Sequence, residues 1–334
     1  MRLSAFTVVD RYDGSPDAVA RRFEDVLSLA ETCETAGLST LWIAEHHFHD
    51  GGICPSPPVL LAAASQRTRT LRIGALVSVL PFHDPIEVAE QYAMIDQLSG
   101  GRLNLGLGSG YIALEFQGFG IDPATKRERF DRSLEVVLAA FRGDPVVSAA
   151  SDPAGSIRVN VRPVQRPHPP LWIAVQRREA LPFVARRGVN VALVPYATVQ
   201  DVDELALQIQ EFRQYLPAGA TAQVSVALHL YAGPHLERAR ASLQRYLDSR
   251  LATQSAFYQD KVRRDPRHAS AEMIERSGFA LFGDPDRVME RLEAFRSAGV
   301  DEVLGIFDFG GLPRDDVAGS VIELGRRFHP DRTS

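Results

Sequence analysis

The sequence predicts a (β/α)8 TIM barrel, and three observations point to it. Short β-branched or apolar runs alternate with amphipathic stretches of helical length almost to the end of the chain. Eight strand–helix units can be counted, the number at which right-handed crossovers close a parallel sheet on itself. The 334 residues are 45% hydrophobic and 24% charged, enough apolar surface for one large core. A doubly wound open sheet is the alternative that the same order of elements permits.

Taken in order, the predicted strand Leu3–Val9 leads to a helix over Ala18–Ala36, and Thr40–Ala44 to Pro58–Arg67. Leu71–Leu80 leads to Pro85–Leu98, Leu103–Gly108 to Arg127–Arg142, and Leu171–Val175 to Arg178–Arg187. Val189–Val194 precedes Val202–Tyr215, Gln223–Ala232 precedes Leu236–Leu251, and Glu302–Phe307 precedes Arg314–Phe328. A further helix, Asp286–Ala298, stands before the last strand. Two insertions interrupt the rhythm of a single domain spanning 1–334. One, at 143–170 after strand four, carries prolines and a strand-like Ile157–Val161; the other, at 252–277 after strand seven, mixes aromatic and charged residues. Unpatterned segments of this size mark functional loops, and the second is a candidate lid.

Composition excludes several classes. A net charge of -5 with basic residues spread along the chain offers no face for a nucleic-acid backbone. Leu3–Val9 is too short and regular for a signal-peptide core, and no run of about eighteen apolar residues exists to span a membrane, so a cytoplasmic protein is expected. Cys33 and Cys54 have no second cysteine at a metal or redox spacing.

In a barrel, chemistry sits at the carboxyl ends of the strands. The second predicted strand ends in Trp42-Ile43-Ala44-Glu45-His46-His47-Phe48-His49, the densest group of titratable side chains there. Three histidines and a carboxylate resemble zinc ligands, but a complete site needs donors from later strand ends. Those strands end in glycine, in Gln176-Arg177-Arg178 and in Pro195-Tyr196, so no metal site is expected. His47 and His49 taken separately are expected to be structural groups that cap the strand or bond to loop backbone. The alternating glycines of Leu105-Gly106-Leu107-Gly108-Ser109-Gly110-Tyr111 allow close approach of a flat or anionic ligand, although Tyr111 breaks the dinucleotide fingerprint. Gln176-Arg177-Arg178-Glu179 at a helix start, with Arg127 and Arg129 opening another, would favour a phosphate.

Together these pieces resemble the bacterial-luciferase-like family of flavin-dependent monooxygenases. The resemblance rests on Trp42 to Phe48, Cys54-Pro55-Ser56-Pro57, Leu80-Pro81 with His83 and Pro85, and Asp96-Gln97-Leu98-Ser99-Gly100-Gly101-Arg102-Leu103. It continues through Gly106 to Tyr111, Glu115-Phe116, Phe119-Gly120, Gly283-Asp284-Pro285 and Phe307 to Pro313. It implies a barrel with long insertions, in which His46 lies beside the reactive edge of a flavin. By the same implication Leu76-Val77-Ser78 lies against the isoalloxazine and contains a non-proline cis peptide. Gly108, Ser109, Gly110 and Tyr111 would line the flavin, while Arg127 and the segment from Ala174 through Gln176, Arg177 and Arg178 would hold its phosphate. The chain departs from the family where Ser109 replaces an arginine and where Gln176, Arg177 and Ala180 replace small hydroxyl residues; Arg177 or Arg178 is expected to have taken over the charge.

The implied reaction uses reduced FMN from a separate flavin reductase and dioxygen, through a flavin hydroperoxide, to oxygenate a small organic substrate. His46 would bond the peroxide or move a proton, with Glu45 orienting it. Phe6, His47, Phe257, Tyr258, Phe307 and Phe309 are candidates for the substrate wall. Apolar faces on Pro58–Arg67 and Pro85–Leu98 would pair two copies in a homodimer. Three alternatives stay open at this level: a deazaflavin-dependent hydride-transfer oxidoreductase of the same barrel family, a non-catalytic flavin-binding subunit, and a metal-dependent hydrolase.

Overall fold

The structure is a computed structural model describing residues 1–146, 157–195, 198–252, 259, 262–263 and 265–328. Eight parallel strands close into a barrel. They are β1 (Arg2–Thr7), β2 (Thr40–Ile43), β3 (Arg72–Val79), β4 (Leu103–Gly108), β5 (Leu171–Val175), β6 (Asn190–Leu193), β7 (Val224–Ala232) and β9 (Glu302–Ile306). Each of the first seven pairs with the next, β7 pairs with β9, and β9 returns to β1. These are the eight strands expected from the sequence, shifted by at most two residues at their ends. The expectation lacked β8 (Ala280–Gly283), four residues that pair with the carboxyl end of β7 from His229 to Ala232. A strand this short, next to an irregular insertion, shows no period of its own.

Outside the barrel lie α1 (Ala18–Thr35), α2 (Pro57–Arg67), α3 (Pro85–Leu98), α4 (Ala113–Gly118) and α5 (Lys126–Arg142). They are followed by α6 (Leu181–Ala185), α7 (Val202–Gln214), α8 (Leu236–Ala252), α9 (Ala271–Arg276), α10 (Pro285–Ser297) and α11 (Arg314–Phe328). The expected helix Arg178–Arg187 is instead a 3-10 turn, Arg178–Ala180, followed by the five residues of α6. Pro182 removes a helical donor and Gly188, at φ 65°, ends the turn in the left-handed region. In the first insertion, Ile157–Val161 is not a strand: Ile157 makes one antiparallel bridge to Val146. The second insertion contains α9, capped by the Ser270 hydroxyl on the Met273 amide.

The amino end of the lumen is closed by a buried network. Glu302 on β9 accepts from the Ser4 hydroxyl at 2.5 Å, from the Ser225 hydroxyl at 2.9 Å and from the Trp42 indole at 3.4 Å, while Trp172 donates to Ser225 at 3.0 Å. Every group in it has a partner, as burial requires. Asp96 and Arg102, within a segment that carries the resemblance, prove structural. Asp96 accepts from the Gln165 backbone and side chain, and Arg102 donates to the carbonyls of Ser65, Thr68 and Leu71, tying α2 to the start of β3. Among the described residues no helix is long and apolar enough to cross a membrane.

Candidate active site at the carboxyl mouth of the barrel

Successive residues leaving β2 point to opposite sides, so the neighbouring Glu45 and His46 have different partners. Glu45 Oε1 accepts from His83 Nε2 at 2.7 Å and His47 Nε2 at 3.1 Å, and Oε2 accepts from the Val79 amide at 3.1 Å. Burial opposes its ionisation, but the bonds from His47 and His83 outweigh that and lower its pKa. The expected role for Glu45 in orienting His46 is therefore corrected: it fixes His47, His83 and the end of β3.

The carboxylate that holds His46 is Glu115 on α4, at 2.9 Å from Nδ1. Glu115 Oε1 also accepts the His47 amide at 3.0 Å and lies 3.4 Å from His49 Nε2. Burial raises its pKa, but the bonds from His46 and His49 prevail and hold it at about 2. On the other side of the ring, Arg250 Nη1 at the end of α8 lies 3.5 Å from His46 Nε2. Both groups are buried. Burial depresses the His46 pKa, partly offset by the bond to Glu115, so the ring is neutral near pH 7. Behind it the ring packs on Gly52, where an added Cβ would stand 2.6 Å from the His46 Cβ. A cleft of about 390 Å³ runs along this wall, lined by His46 to Asp50, Gly52, Ile53 and Pro55.

Glu115 lay inside the motif Glu115-Phe116, which carried the resemblance without a role. Arg250 had no sequence signal, because it is one of several arginines on an amphipathic helix and only tertiary packing turns it inward. The ligand count made from strand ends is also corrected. His83 and Glu115 come from segments after β3 and β4, and they complete two groups of three potential ligands, Glu45-His47-His83 and His46-His49-Glu115. Internal hydrogen bonds already account for the carboxylates of both.

Tyr111 connects His46 to the residues expected to bind the flavin. Its ring meets His46 edge-on at 6.2 Å, burial raises its pKa to about 12, and it shares a hydrogen bond with Gln176. Gln176 Oε1 is a buried acceptor with no hydrogen-bond partner among the described residues. Lys126, at the start of α5, donates to the Gly110 carbonyl at 3.1 Å; burial and the nearby charge of Arg177 both lower its pKa. Arg127 and Arg178 do not join them. Arg127 pairs with Asp131 at 2.9 Å and covers the Phe183 ring, while Arg178 pairs with Glu211 at 2.6 Å. Arg177, one of the expected cations, is near Lys126, a residue with no signal of its own in the sequence. Ser109 and Ala174 are half-buried.

The peptide Leu76-Val77 is cis, as the resemblance implied, and β3 and β4 shift register there, between Ala75 and Ser78. Gly106 and Gly108 face this segment. A Cβ on Gly106 would stand 2.6 Å from the Ala75 carbonyl oxygen, and one on Gly108 would overlap Val77 Cγ2. These glycines thus make room for the neighbouring strand. Ser78 is buried beside Glu45, at 3.4 Å.

The substrate wall is reduced. Phe6 shares the lumen-facing side of β1 with Ser4 and is partly buried, and His47 lines the cleft beside His46. Phe307 is 1% exposed and packs over Gly305, so it belongs to the core and not to a substrate surface. Phe309, equally buried, meets His229 edge-on at 5.2 Å and stacks with Phe282. Phe257 and Tyr258 lie outside the described residues.

The described residues thus form a closed parallel (β/α) barrel with a buried acid–imidazole–guanidinium group at its carboxyl mouth and two cations beside a glycine turn. The chain belongs to the luciferase-like monooxygenase family, whose family model matches residues 1–302. It is 40% identical over 196 residues to the uncharacterized protein y4wF of Sinorhizobium fredii, a match covering 58% of this chain and 57% of that protein. The matches to the first curated relatives span about half of those proteins' lengths. Over 327 residues it is 22% identical to the oxygenase component of the flavin-dependent trigonelline monooxygenase of Acinetobacter baylyi, covering 93% of this chain and 90% of that one. Among solved structures, the oxygenating constituent of 3,6-diketocamphane monooxygenase from Pseudomonas putida, in complex with FMN, shares the fold. Its TM-score is 0.81 at 18% identity, over 99% of this chain and 98% of that one.

Proposed function

We propose that this chain is the oxygenase component of a two-component flavin-dependent monooxygenase, taking reduced FMN from a separate reductase and using dioxygen to oxygenate a small organic substrate. The observation that carries this reading is the bridge made by Tyr111, with His46 on one side and Gln176 on the other. The family and the trigonelline relative, itself named an oxygenase component, support it.

The residues fit FMN. The Lys126–Arg177 pair suits a phosphate, and the buried Gln176 Oε1 suits an N–H of the flavin ring. Leu76, Val77 and Ala174, apolar and buried or partly buried, would add apolar contacts to the flavin ring. When bound and reduced, the flavin supplies the electrons that activate dioxygen. The protein's part is to orient, to exclude water and to handle protons. Glu115 fixes the His46 ring with Nδ1 protonated, which leaves Nε2 as a proton acceptor at neutral pH. Exposed Val59, Met94 and Leu98 on α2 and α3 support a homodimer, and the proposal includes a cytoplasmic location.

The decisive assay supplies reduced FMN and air to the purified chain and follows product over carbonyl, aromatic and amine substrates. Oxygen-dependent product is the expected result. Tight binding of reduced deazaflavin with oxygen-independent hydride transfer would replace this reading, and flavin binding without turnover would make the chain a supporting subunit.

A further inference from the structure

We propose that His46 and Arg250 form a receptor for an acidic aromatic hydroxyl, a phenol on the substrate, in which His46 takes the hydroxyl proton and Arg250 holds the oxygen left behind. The proposal rests on the reading that His46 faces the substrate, and it names the class of that substrate.

The first support is the tautomer. Glu115 Oε1 accepts from the His47 amide and is ionised, so it has no proton to give; the hydrogen between it and His46 therefore belongs to Nδ1. In the neutral ring Nε2 carries the lone pair. Glu115, His49, Tyr111 and Arg250 are the titratable or charged groups that surround the ring.

The second support is the spacing. At 3.5 Å, Arg250 Nη1 is long for a hydrogen bond to Nε2. One oxygen seated over the pair can lie about 2.9 Å from both nitrogens. It would accept from Arg250 and must donate to Nε2. A carbonyl, ether or ionised carboxylate has no proton to donate, so its lone pairs would face the lone pair of Nε2. A hydroxyl matches both partners.

The third support is the charge. Arg250 is buried, 5% exposed, and stays a cation. Asp10 and Tyr12 are near enough to act on its charge, and Asp10 is itself engaged by the Tyr12 hydroxyl at 2.5 Å and by Arg22 at 3.4 Å. A cation within hydrogen-bond reach lowers the pKa of an acid by roughly one to three units. Burial opposes this, as it does at Tyr111, held at about 12 beside the same groups, so the phenol that fits is one whose own ring substituents already bring it well below ~10, towards the range in which a neutral imidazole accepts its proton. An aliphatic alcohol, about as weak an acid as water, does not reach that range. The surroundings are aromatic too: Tyr246 lies 5.0 Å from the Arg250 guanidinium, His229 4.9 Å from Tyr246, and Tyr111 borders His46. In the step itself the O–H bond breaks and its proton moves to Nε2. The result is an imidazolium paired with Glu115 and a phenolate paired with Arg250. A phenolate is richer in electrons at its ortho and para carbons, which suits a ring that is to receive oxygen.

The test uses 4-nitrophenol, whose neutral and ionised forms absorb differently, with the full chain. Bound probe is expected to ionise at least one pH unit below free probe, a tenfold change in ionisation ratio. Arg250→Gln should abolish that shift and Arg250→Lys should keep most of it. 4-Nitroanisole, which lacks the proton, should bind at least tenfold more weakly than 4-nitrophenol to the wild-type chain and no more weakly to Arg250→Gln. Probe that binds only in its neutral form, does not bind at millimolar concentration, or responds identically in Arg250→Gln overturns the proposal. Nitrogen-15 chemical shifts of His46 in the wild-type chain give a check that needs no variant: a proton on Nε2 rather than Nδ1 also overturns it. A shifted probe without oxygen-dependent turnover would sink the monooxygenase reading and leave the receptor standing. Turnover without a shifted probe would do the reverse.

Discussion

His46 is held from two sides by opposite charges, and that arrangement fixes what its removal should do. Because Lys126, Arg177 and Gln176 are not among the groups bonded to His46, His46→Ala is expected to abolish product formation while changing the dissociation constant of FMN less than about threefold, on the order of half a kcal/mol; retained turnover would show that the ring has no chemical role. Glu115→Gln keeps an acceptor for Nδ1 and removes only the charge, so the acid limb of the pH–rate profile should move to lower pH as the imidazolium loses its partner. The same variant tests stability. Glu115 titrates at about 2 in the folded chain and near ~4.3 when unfolded. Its contribution is therefore fully present above the unfolded value and disappears as pH falls towards the folded one. Urea midpoints measured from pH 5 down to pH 2 should fall more steeply for the wild type than for Glu115→Gln, and parallel curves would refute the assigned shift.

At the scale of elements, the junction of β3 and β4 shows how much of the site depends on backbone fit. Gly106 and Gly108 lie flush against Ala75, Leu76 and Val77. A methyl group at 106 has a carbonyl oxygen in its way, which cannot swing aside as a side-chain tip would. Gly106→Ala should thus cost about 1–3 kcal/mol in urea denaturation and weaken FMN binding along with it; an unchanged midpoint would mean that the strands separate freely. The long helices were legible because their apolar faces repeat over ten residues or more, as in α1, α3, α5, α7 and α11. The short pieces were not: α4 and β8 give too few residues for a period, and α6 is cut by Pro182 and Gly188. That loss reached the site, because α4 supplies Glu115. His46 itself could be picked out, since it stands in a dense titratable run at a strand end. Arg250 and Lys126 could not, because a surface helix carries arginine and lysine at many positions and sequence does not say which one turns inward.

Across the whole molecule, the two ends of the barrel do different work, and the lumen network on Glu302 provides a way to separate them. Ser4, Ser225 and Trp42 all donate to this carboxylate at the amino end, while His46, Glu115 and Arg250 occupy the carboxyl end. Glu302→Gln keeps the volume but replaces one acceptor with an amide donor. Ser225 already accepts from Trp172 and needs somewhere to send its own hydrogen. The variant therefore leaves a buried donor without an acceptor, at a cost of about 1–3 kcal/mol. Urea denaturation should show that loss, seen as a lower midpoint with an unchanged slope. In buffer without denaturant, the FMN dissociation constant and the ionisation of bound 4-nitrophenol should both match the wild type within about twofold, because no group at the mouth changes its partner. A tenfold loss in either would mean that the barrel transmits strain from its base to its mouth, and that the two ends are one cooperative unit rather than a scaffold and a site.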